Sequence, residues 1–198
     1  MMGTGNPEQG IEGGGSDSRF PIPDSRQSVP GSPFPVPSFR VGIGYDSHRF
    51  APGTEMILGG CRIPSDVRLV GHSDGDAIAH ALTDAVLGAA GAGDIGEMFA
   101  ETDERNRGRD SIEMLRAAVA RVRTLGWVVQ NADITVVAER PRIGPHRAEI
   151  RATLASALGV DAGVVSIKGK TNEGMGWIGR AEGLACMAVA LLASAGRP

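Results

Sequence analysis

The sequence predicts an α+β fold in which helices and strands share one domain. Residues 127–138 end in a run rich in β-branched side chains, which is typical of a strand, and this run stops before Glu139-Arg140-Pro141. Residues 109–125 instead carry apolar side chains at the i, i+3, i+4, i+7 spacing of an amphipathic helix and end at Gly126. Because a helix and a strand are predicted next to each other in the chain, the predicted fold class is mixed.

The other elements are predicted in chain order as a strand at 39–45, a helix at 74–91, a helix at 145–158 and a strand at 163–168. Ser73 is the predicted N-cap of the first helix, since Asp76 lies three residues further on in a carboxylate variant of the capping box. Residues 182–193 are apolar on both faces, which fits a fully buried strand or a buried helix. Periodicity alone leaves this last element open.

Residues 1–38 are predicted to be a disordered leader. They hold seven of the chain's twelve prolines and seven of its glycines, with few apolar side chains. Such a segment cannot bury enough apolar surface to offset the entropy that it would lose on ordering. Residues 39–198 are therefore expected to form one folded domain.

Composition and charge exclude several classes of function. The leader lacks an apolar run long enough for a signal peptide, and its four acidic residues argue against a transit peptide. The apolar stretch 184–193 is too short to cross a bilayer. A net charge of −3 offers no basic stripe for nucleic acid, and Cys61 and Cys186 are too few for a disulfide framework. We expect a cytoplasmic protein that binds neither membrane nor nucleic acid.

Three of the four histidines fall among many carboxylates between residues 45 and 84. Asp46 and His48 are two residues apart next to the predicted first strand, so their side chains point to the same side. His80 lies on the predicted helix, with Asp76 and Asp84 one turn before and after it. One oxygen and two nitrogens with a fourth position open are typical of catalytic zinc. Asp76 or Asp84 would then orient the His80 ring.

Each of these residues also has an ordinary explanation. A single histidine on an alanine-rich helix is more often a packed or surface residue than a metal ligand. The pattern Asp-x-His also occurs by chance in many chains. Only the joint occurrence of the strand pair and the helical histidine favours a metal site.

A second cluster occupies residues 168–180, where a glycine-rich turn follows a predicted strand. Most turns of this kind only connect two elements. Alternatively, the small residues let the backbone approach oxyanions, while Thr171 supplies a hydroxyl and Glu173 a hard oxygen ligand for Mg²⁺. The nucleotide-binding pattern Gly-x4-Gly-Lys-Ser/Thr does not occur. The residues alone leave both interpretations open.

Four longer segments carry a more specific signal: RVGIGYDSHRF (40–50), GHSDGDAIAHALTDAVLGAA (71–90), GDIGEMF (93–99) and GRAEGLACMAVALL (179–192). In this order they resemble the 2-C-methyl-D-erythritol 2,4-cyclodiphosphate synthases, the cyclising enzymes of the non-mevalonate isoprenoid pathway. The similarity runs from Phe39 to Ala193.

The resemblance completes the expected fold. It implies a mixed four-stranded sheet with helices on one face, the other face packing around the three-fold axis of a homotrimer. It also makes residues 182–193 a strand, and apolar side chains on both of its faces suit such an arrangement. Active sites are then expected between neighbouring subunits, with the cytidine and magnesium loops across the interface from the zinc.

The resemblance further implies a substrate, a reaction and two metals. The 2-phosphate of 4-diphosphocytidyl-2-C-methyl-D-erythritol 2-phosphate attacks the β-phosphorus, and CMP leaves. Since the nucleophile is already an anion, positioning and cations matter more than a strong base. Zinc, or another divalent transition metal, is expected on Asp46, His48 and His80, and Mg²⁺ or Mn²⁺ on Glu173.

Two more residues are expected to hold phosphate. His72 and Ser73 lie at the predicted N-terminus of a helix, where free N–H groups and the helix dipole favour anions. Ser73 would cap the helix, bind phosphate or do both. His72 and Thr171 are the expected catalytic contacts to phosphate.

The resemblance assigns the remaining contacts. Asp94 and Gly96 should meet hydroxyls of the ribose or methylerythritol, although without the resemblance they would read as a turn. Trp177 and Arg180 should contact the substrate and lie near the three-fold axis. The turn after the strand at 127–138 should recognise cytosine, mainly through the backbone of Ala138, Pro141, Arg142, Ile143 and Gly144.

Some positions depart from the family pattern. Lys170 stands where threonine is common, and its charge next to Glu173 could contact phosphate or perturb the second metal. Ala100 and Glu101 replace a usual proline and aspartate, so their loop is expected to be ordered differently. Trp177 replaces a usual phenylalanine.

Two other functions fit part of the same pattern. A zinc-dependent phosphodiesterase or phosphatase would use the triad to activate water, but no second set of metal ligands lies close in sequence. A trimeric scaffold with a structural metal, or a regulatory binder of isoprenoid diphosphates beside Trp177 and Arg180, would need no catalysis.

Overall fold

The computed structural model describes residues 39–100 and 102–195. The predicted leader and Glu101 lie outside the described residues. Within these ranges, no helix combines the length and the apolar character that crossing a membrane requires.

The strands among the described residues are β1 (Phe39–Pro52), β2 (Glu55–Leu58), β3 (Cys61–Pro64), β4 (Val67–Leu69), β5 (Trp127–Val137), β6 (Val165–Lys170) and β7 (Gly183–Ser194). The α-helices there are α1 (Ala77–Ala90), α2 (Ile95–Met98), α3 (Ser111–Thr124), α4 (Arg147–Leu158) and α5 (Gly176–Gly179). Every predicted helix and strand is present. The first strand, however, continues seven residues beyond its predicted end at 45.

Three short strands, β2, β3 and β4, are not among the predicted elements. Each has only three or four residues, too few for a clear alternation. β2 and β3 pair in antiparallel fashion across Gly59-Gly60, both with positive φ. A Gly-Gly pair between two short apolar runs is a hairpin signal, so this part of the fold was readable from the sequence.

The main sheet is mixed, as predicted, but it has five strands rather than four, in the order β4-β1-β7-β5-β6. The fifth strand arises because β1 is long enough for its last residues, Phe50–Pro52, to pair with β4. β7 lies between β1 and β5 and is antiparallel to both, while β5 and β6 are parallel. β1, β5 and β6 therefore run in the same direction, and their C-terminal ends lie at the same end of the sheet.

Helices cover one face of the sheet, and α1 packs directly on β1. A Cβ atom at Gly42 would lie 2.1 Å from the oxygen of Ala85, and one at Gly44 would lie 1.9 Å from the oxygen of Ala81. Only glycine lets the helix backbone come this close to the strand. Large, fully buried core side chains include Ile78, Leu82, Leu115, Ile134, Leu154 and Leu184.

The opposite face of the sheet is apolar and exposed. Ile43 and Tyr45 on β1 are 71% and 56% exposed, and they pair with Val189 and Met187 on β7. The residues between them on β7, such as Ala188, are buried under the helices. The last element is therefore a strand, and its two apolar faces meet two different surroundings.

Candidate metal centre and active site

Strand β1 carries Asp46 and His48 to the helix-covered face, the same face as Gly42 and Gly44. Because α1 lies against those glycines, His80 on the first turns of α1 reaches the same point. The three side chains come together as predicted and could hold a metal ion.

The donor atoms of the triad form a nearly equilateral triangle. Asp46 Oδ2 lies 2.9 Å from His48 Nε2 and 3.0 Å from His80 Nδ1, and the two ring nitrogens are 3.2 Å apart. Neighbouring donors of a tetrahedral zinc ion, with bonds of about 2.0–2.1 Å, are separated by about 3.3–3.4 Å. The observed separations are a few tenths of an ångström shorter, so the side chains fit a divalent ion with little movement.

Both histidines turn their second ring nitrogen away from the triad and towards a partner. His48 Nδ1 lies 2.7 Å from the carbonyl oxygen of Val70, which can only accept, so this nitrogen carries the proton. His48 Nε2 is then free for a metal. A ligating histidine fixed in this way is usual in metal sites.

The prediction that Asp76 or Asp84 orients the His80 ring is wrong. His80 Nε2 instead lies 2.9 Å from Ser73 Oγ and 2.8 Å from Ser111 Oγ. Asp84 accepts from the N–H of Ile95. Residues four apart on α1 share a face, but the imidazole extends towards α3 rather than along its own helix.

Asp76, not Ser73, is the N-cap of α1. Its carboxylate is fully buried and accepts from the backbone N–H groups of Ile78 and Ala79 and, across the hairpin, of Gly59 and Gly60. The helix therefore starts three residues later than predicted. Ser73 does not cap it. The N–H groups of Ile78 and Ala79 at the start of the helix already bond to Asp76, so the dipole argument for phosphate at Ser73 does not hold.

The electrostatics of the triad favour a cation. Burial opposes ionisation of Asp46, but its close contacts with the His48 and His80 imidazoles outweigh it and hold the pKa of Asp46 well below its ordinary value. Burial lowers the pKa of His48, yet the contact with the Asp46 carboxylate prevails, and the pKa is raised. The ionised Asp46 carboxylate thus attracts a cation to the point where the three donor atoms converge.

The triad opens onto a cavity of about 160 Å³, which His72, Ser73, Gly96 and Asp84 also line. His72 Nε2 is buried and has no hydrogen-bond partner among the described residues. A buried ring nitrogen without a partner is costly, so a ligand oxygen would satisfy it. The predicted phosphate residues thus border the triad, although not for the predicted reason.

Asp94 does not line this cavity. Its carboxylate caps the short helix α2 by accepting from the N–H of Glu97, which is the turn role that the residues alone suggest. In the next loop, the carbonyl of Ala100 accepts from the N–H of Asp103 and from Asn106 Nδ2.

The loops after β5 and β6 form a second cavity, of about 340 Å³. Its lining includes the predicted cytosine turn and part of the predicted phosphate loop: Ala138, Glu139, Pro141, Arg142, Ile143, Gly144, Lys170 and Thr171. Glu139 joins the two loops, since its Oε1 accepts from the N–H groups of Asn172, at 2.9 Å, and of Gly174. No local pattern in the sequence indicates this link.

Glu173 lies in the same loop, exposed and with a φ of 51°. Its carboxylate accepts a hydrogen bond of 2.7 Å from Thr171 Oγ1. The two predicted phosphate-loop residues are therefore in contact. One carboxylate is too few to hold Mg²⁺ by itself, but Mg²⁺ commonly combines one or two carboxylates with substrate phosphates.

Trp177 and Arg180 belong to a third region. Trp177 lines a surface cavity of about 570 Å³ with Phe50, Glu182 and His48, which also borders the triad cavity. Arg180 forms an exposed ion pair with Glu182, with 2.6 Å between Nε and Oε1. Trp177 thus lies near the C-terminal end of β1.

Comparisons with known proteins agree with the geometry. A sequence model of the YgbB family matches residues 39–193. The 2-C-methyl-D-erythritol 2,4-cyclodiphosphate synthase of Gemmatimonas aurantiaca is 62% identical over 157 residues, which are 79% of this chain and 95% of that protein. The bifunctional IspDF of Campylobacter jejuni superposes with a TM-score of 0.76 at 38% identity, over 79% of this chain and 42% of that longer one. IspF of Plasmodium falciparum, solved as a CDP complex, gives 0.70 at 34% identity, over 79% and 97%.

Proposed function

This chain belongs to the YgbB family of 2-C-methyl-D-erythritol 2,4-cyclodiphosphate synthases, enzymes of the non-mevalonate isoprenoid pathway, and we propose how its residues bring about the cyclisation. The substrate is 4-diphosphocytidyl-2-C-methyl-D-erythritol 2-phosphate. The observation that carries the proposal is the Asp46–His48–His80 triad opening onto the cavity lined by His72 and Ser73.

The reaction is an intramolecular phosphoryl transfer. A bond forms between an oxygen of the 2-phosphate and the β-phosphorus. The bond between the β-phosphorus and the oxygen that it shares with the α-phosphate breaks, and its electron pair leaves with CMP. No proton has to be removed from the nucleophile, so the protein must bring the phosphates together and offset their charge.

Asp46, His48 and His80 would hold zinc or another divalent transition metal, which acts as a Lewis acid towards a phosphate oxygen. Beside them, the buried Nε2 of His72 is placed to donate a hydrogen bond to a phosphate oxygen, and the Ser73 hydroxyl lines the same cavity. These donors act where negative charge accumulates.

The loops after β5 and β6 would hold the leaving group. Backbone groups of residues 138–144 are proposed to recognise cytosine, and the CDP complex of the Plasmodium relative supports a cytidine ligand for this fold. Thr171 would contact a phosphate, and Glu173 would hold Mg²⁺ or Mn²⁺ together with the substrate phosphates. Lys170 lines this cavity and adds a cation close to the phosphates.

We assign the exposed face of the sheet to a homotrimer. Side chains on neighbouring strands, such as Ile43 with Val189 and Tyr45 with Met187, form a continuous apolar surface, and surfaces of this kind mark interfaces between proteins. No described residue lines both the triad cavity and the cavity formed by the loops after β5 and β6. A complete site would then combine the triad of one subunit with the loops of its neighbour.

The oligomer can be tested by native mass spectrometry with one substitution and a control. Ile43→Asp places a charge on the exposed sheet face and should give monomers without turnover. Val164→Asp introduces the same charge at an exposed apolar residue, 41% exposed, in the turn before β6, and should leave the trimer intact. A trimeric and active Ile43→Asp variant would contradict the assignment.

The activity itself is tested by phosphorus NMR of the purified protein with the diphosphocytidyl substrate, Zn²⁺ and Mg²⁺. The proposal predicts a cyclic diphosphate and CMP in equal amounts. Free phosphate would instead indicate a zinc-dependent phosphatase. Absence of turnover with a bound metal would indicate a scaffold or a binding protein.

A further inference from the structure

The far side of the His80 ring leads to a carboxylate outside the triad. His80 Nε2 lies 2.8 Å from Ser111 Oγ, and Ser111 Oγ lies 2.5 Å from Asp74 Oδ1. Ser111 is fully buried at the first position of α3. A chain of two hydrogen bonds thus runs from Asp74 to the His80 imidazole of the triad.

The direction of each hydrogen bond follows from counting protons. A carboxylate can only accept, so the single proton of the Ser111 hydroxyl is committed to Asp74. Ser111 Oγ must then accept from His80, whose proton therefore sits on Nε2. His80 Nδ1 is left with a free electron pair, and this atom is the one that faces Asp46 Oδ2 at 3.0 Å.

Asp74 is itself held firmly. Its second oxygen accepts from the backbone N–H of Ser111 at 3.1 Å, and Oδ1 also accepts from the N–H of Asp76 at 3.1 Å. The carboxylate thus ties the start of α3 to the residues before α1. Rotation of the His80 ring would break its contact with the Ser111 hydroxyl, because Asp74 holds that hydroxyl in place.

We propose that Asp74 and Ser111 are positioning residues that set the tautomer and the orientation of His80 and thereby the metal affinity of the triad. This inference rests on the proposed metal site, but it concerns two residues that lie outside the triad. Ser73 also lies 2.9 Å from His80 Nε2, but among the described residues no carboxylate accepts from its hydroxyl to fix the direction of its proton. Partners of this kind typically change metal affinity by about 10–100-fold.

The test is a zinc titration of metal-depleted, full-length protein. Ser111→Ala should weaken zinc binding about 10–100-fold while the protein stays folded. Thr83→Ala is the matched control, since Thr83 is also fully buried and, within residues 39–100 and 102–195, its hydroxyl bonds only to the carbonyl of Ala79 on α1. This control should lose stability but keep the zinc affinity of the parent.

A second readout is independent of affinity and of turnover. In the zinc-loaded parent, nitrogen NMR should show a slowly exchanging proton on His80 Nε2, and in Ser111→Ala this proton should exchange faster. Asp74→Asn should also weaken zinc binding, because the amide can turn a donor towards Ser111. Unchanged zinc affinity and an unchanged Nε2 proton in Ser111→Ala would overturn the inference. Failure of the parent to form cyclic diphosphate would instead refute the proposed function. The effect of Ser111→Ala on zinc affinity would still stand in that case.

Discussion

At Gly44, strand β1 and helix α1 touch through their backbones, and this contact keeps His80 beside Asp46. A Cβ atom added at Gly44 would lie 1.9 Å from the oxygen of Ala81, whereas ordinary contacts begin at 3.4 Å. In Gly44→Ala the two elements must therefore move apart locally by about 1.5 Å. Because His80 directly precedes Ala81, its ring should move out of the triad.

The expected size of the effect follows from this displacement. Overpacking of a tight core typically costs about 1–3 kcal/mol, and a backbone contact this short places Gly44→Ala at about 3 kcal/mol. For a domain of this size, that corresponds to a fall in Tm of about 6–12 °C. Zinc affinity should fall about 10–100-fold, as it does when other contacts that orient a ligand are lost.

The assay combines calorimetry with zinc titration and uses a second glycine of the same region as its control. Gly88 lies on the exposed side of α1, and a Cβ atom there would meet nothing within 4 Å. Gly88→Ala should raise stability by about 0.5–1 kcal/mol and leave zinc affinity unchanged. Parental Tm and zinc affinity in Gly44→Ala would refute the reasoning.

Three further predictions concern the cap, the metals and the loops. Asp76→Asn should cost about 1–3 kcal/mol in urea unfolding, because the amide would turn a donor towards the N–H of Gly60; an unchanged midpoint would show that the four-donor cap contributes little. His80→Ala should lose zinc and turnover yet remain folded, whereas Glu173→Ala should keep zinc and lose Mg²⁺-dependent turnover; zinc retained in the first variant would remove His80 from the ligands. Glu139→Ala should raise KM for the diphosphocytidyl substrate, because the two loops lose their link, while Glu139→Gln keeps an oxygen acceptor and should resemble the parent; equal KM values in all three proteins would contradict this role.

Much of the fold could be predicted from the sequence because the signals are local. The amphipathic spacing of α3 and the β-branched run of β5 each report one periodicity, and both elements end within two residues of their predicted bounds. The first residue of α1 was missed because Ser73 and Asp76 both suit an N-cap. The choice was made by the hairpin, whose glycine N–H groups also bind Asp76.

The triad could be predicted because strand and helix periodicities place its members on known faces. Its surroundings could not, since Ser111 is 31 residues from His80 and Glu139 is 33 residues from Asn172. Such contacts depend on how α3 and the loops pack, which no local pattern records. The alternation of Gly42 and Gly44 on β1 was a readable sign that a helix lies against that strand.

The central claim is that Asp46, His48 and His80 hold one divalent ion whose open position takes a phosphate oxygen. Zinc-edge X-ray absorption of the purified protein tests it most directly. The account predicts one zinc per chain with only nitrogen and oxygen donors, at about 2.0–2.1 Å, two of them imidazoles. Sulfur donors at about 2.3 Å, or imidazole scattering that persists when both His48 and His80 are replaced by alanine, would contradict it.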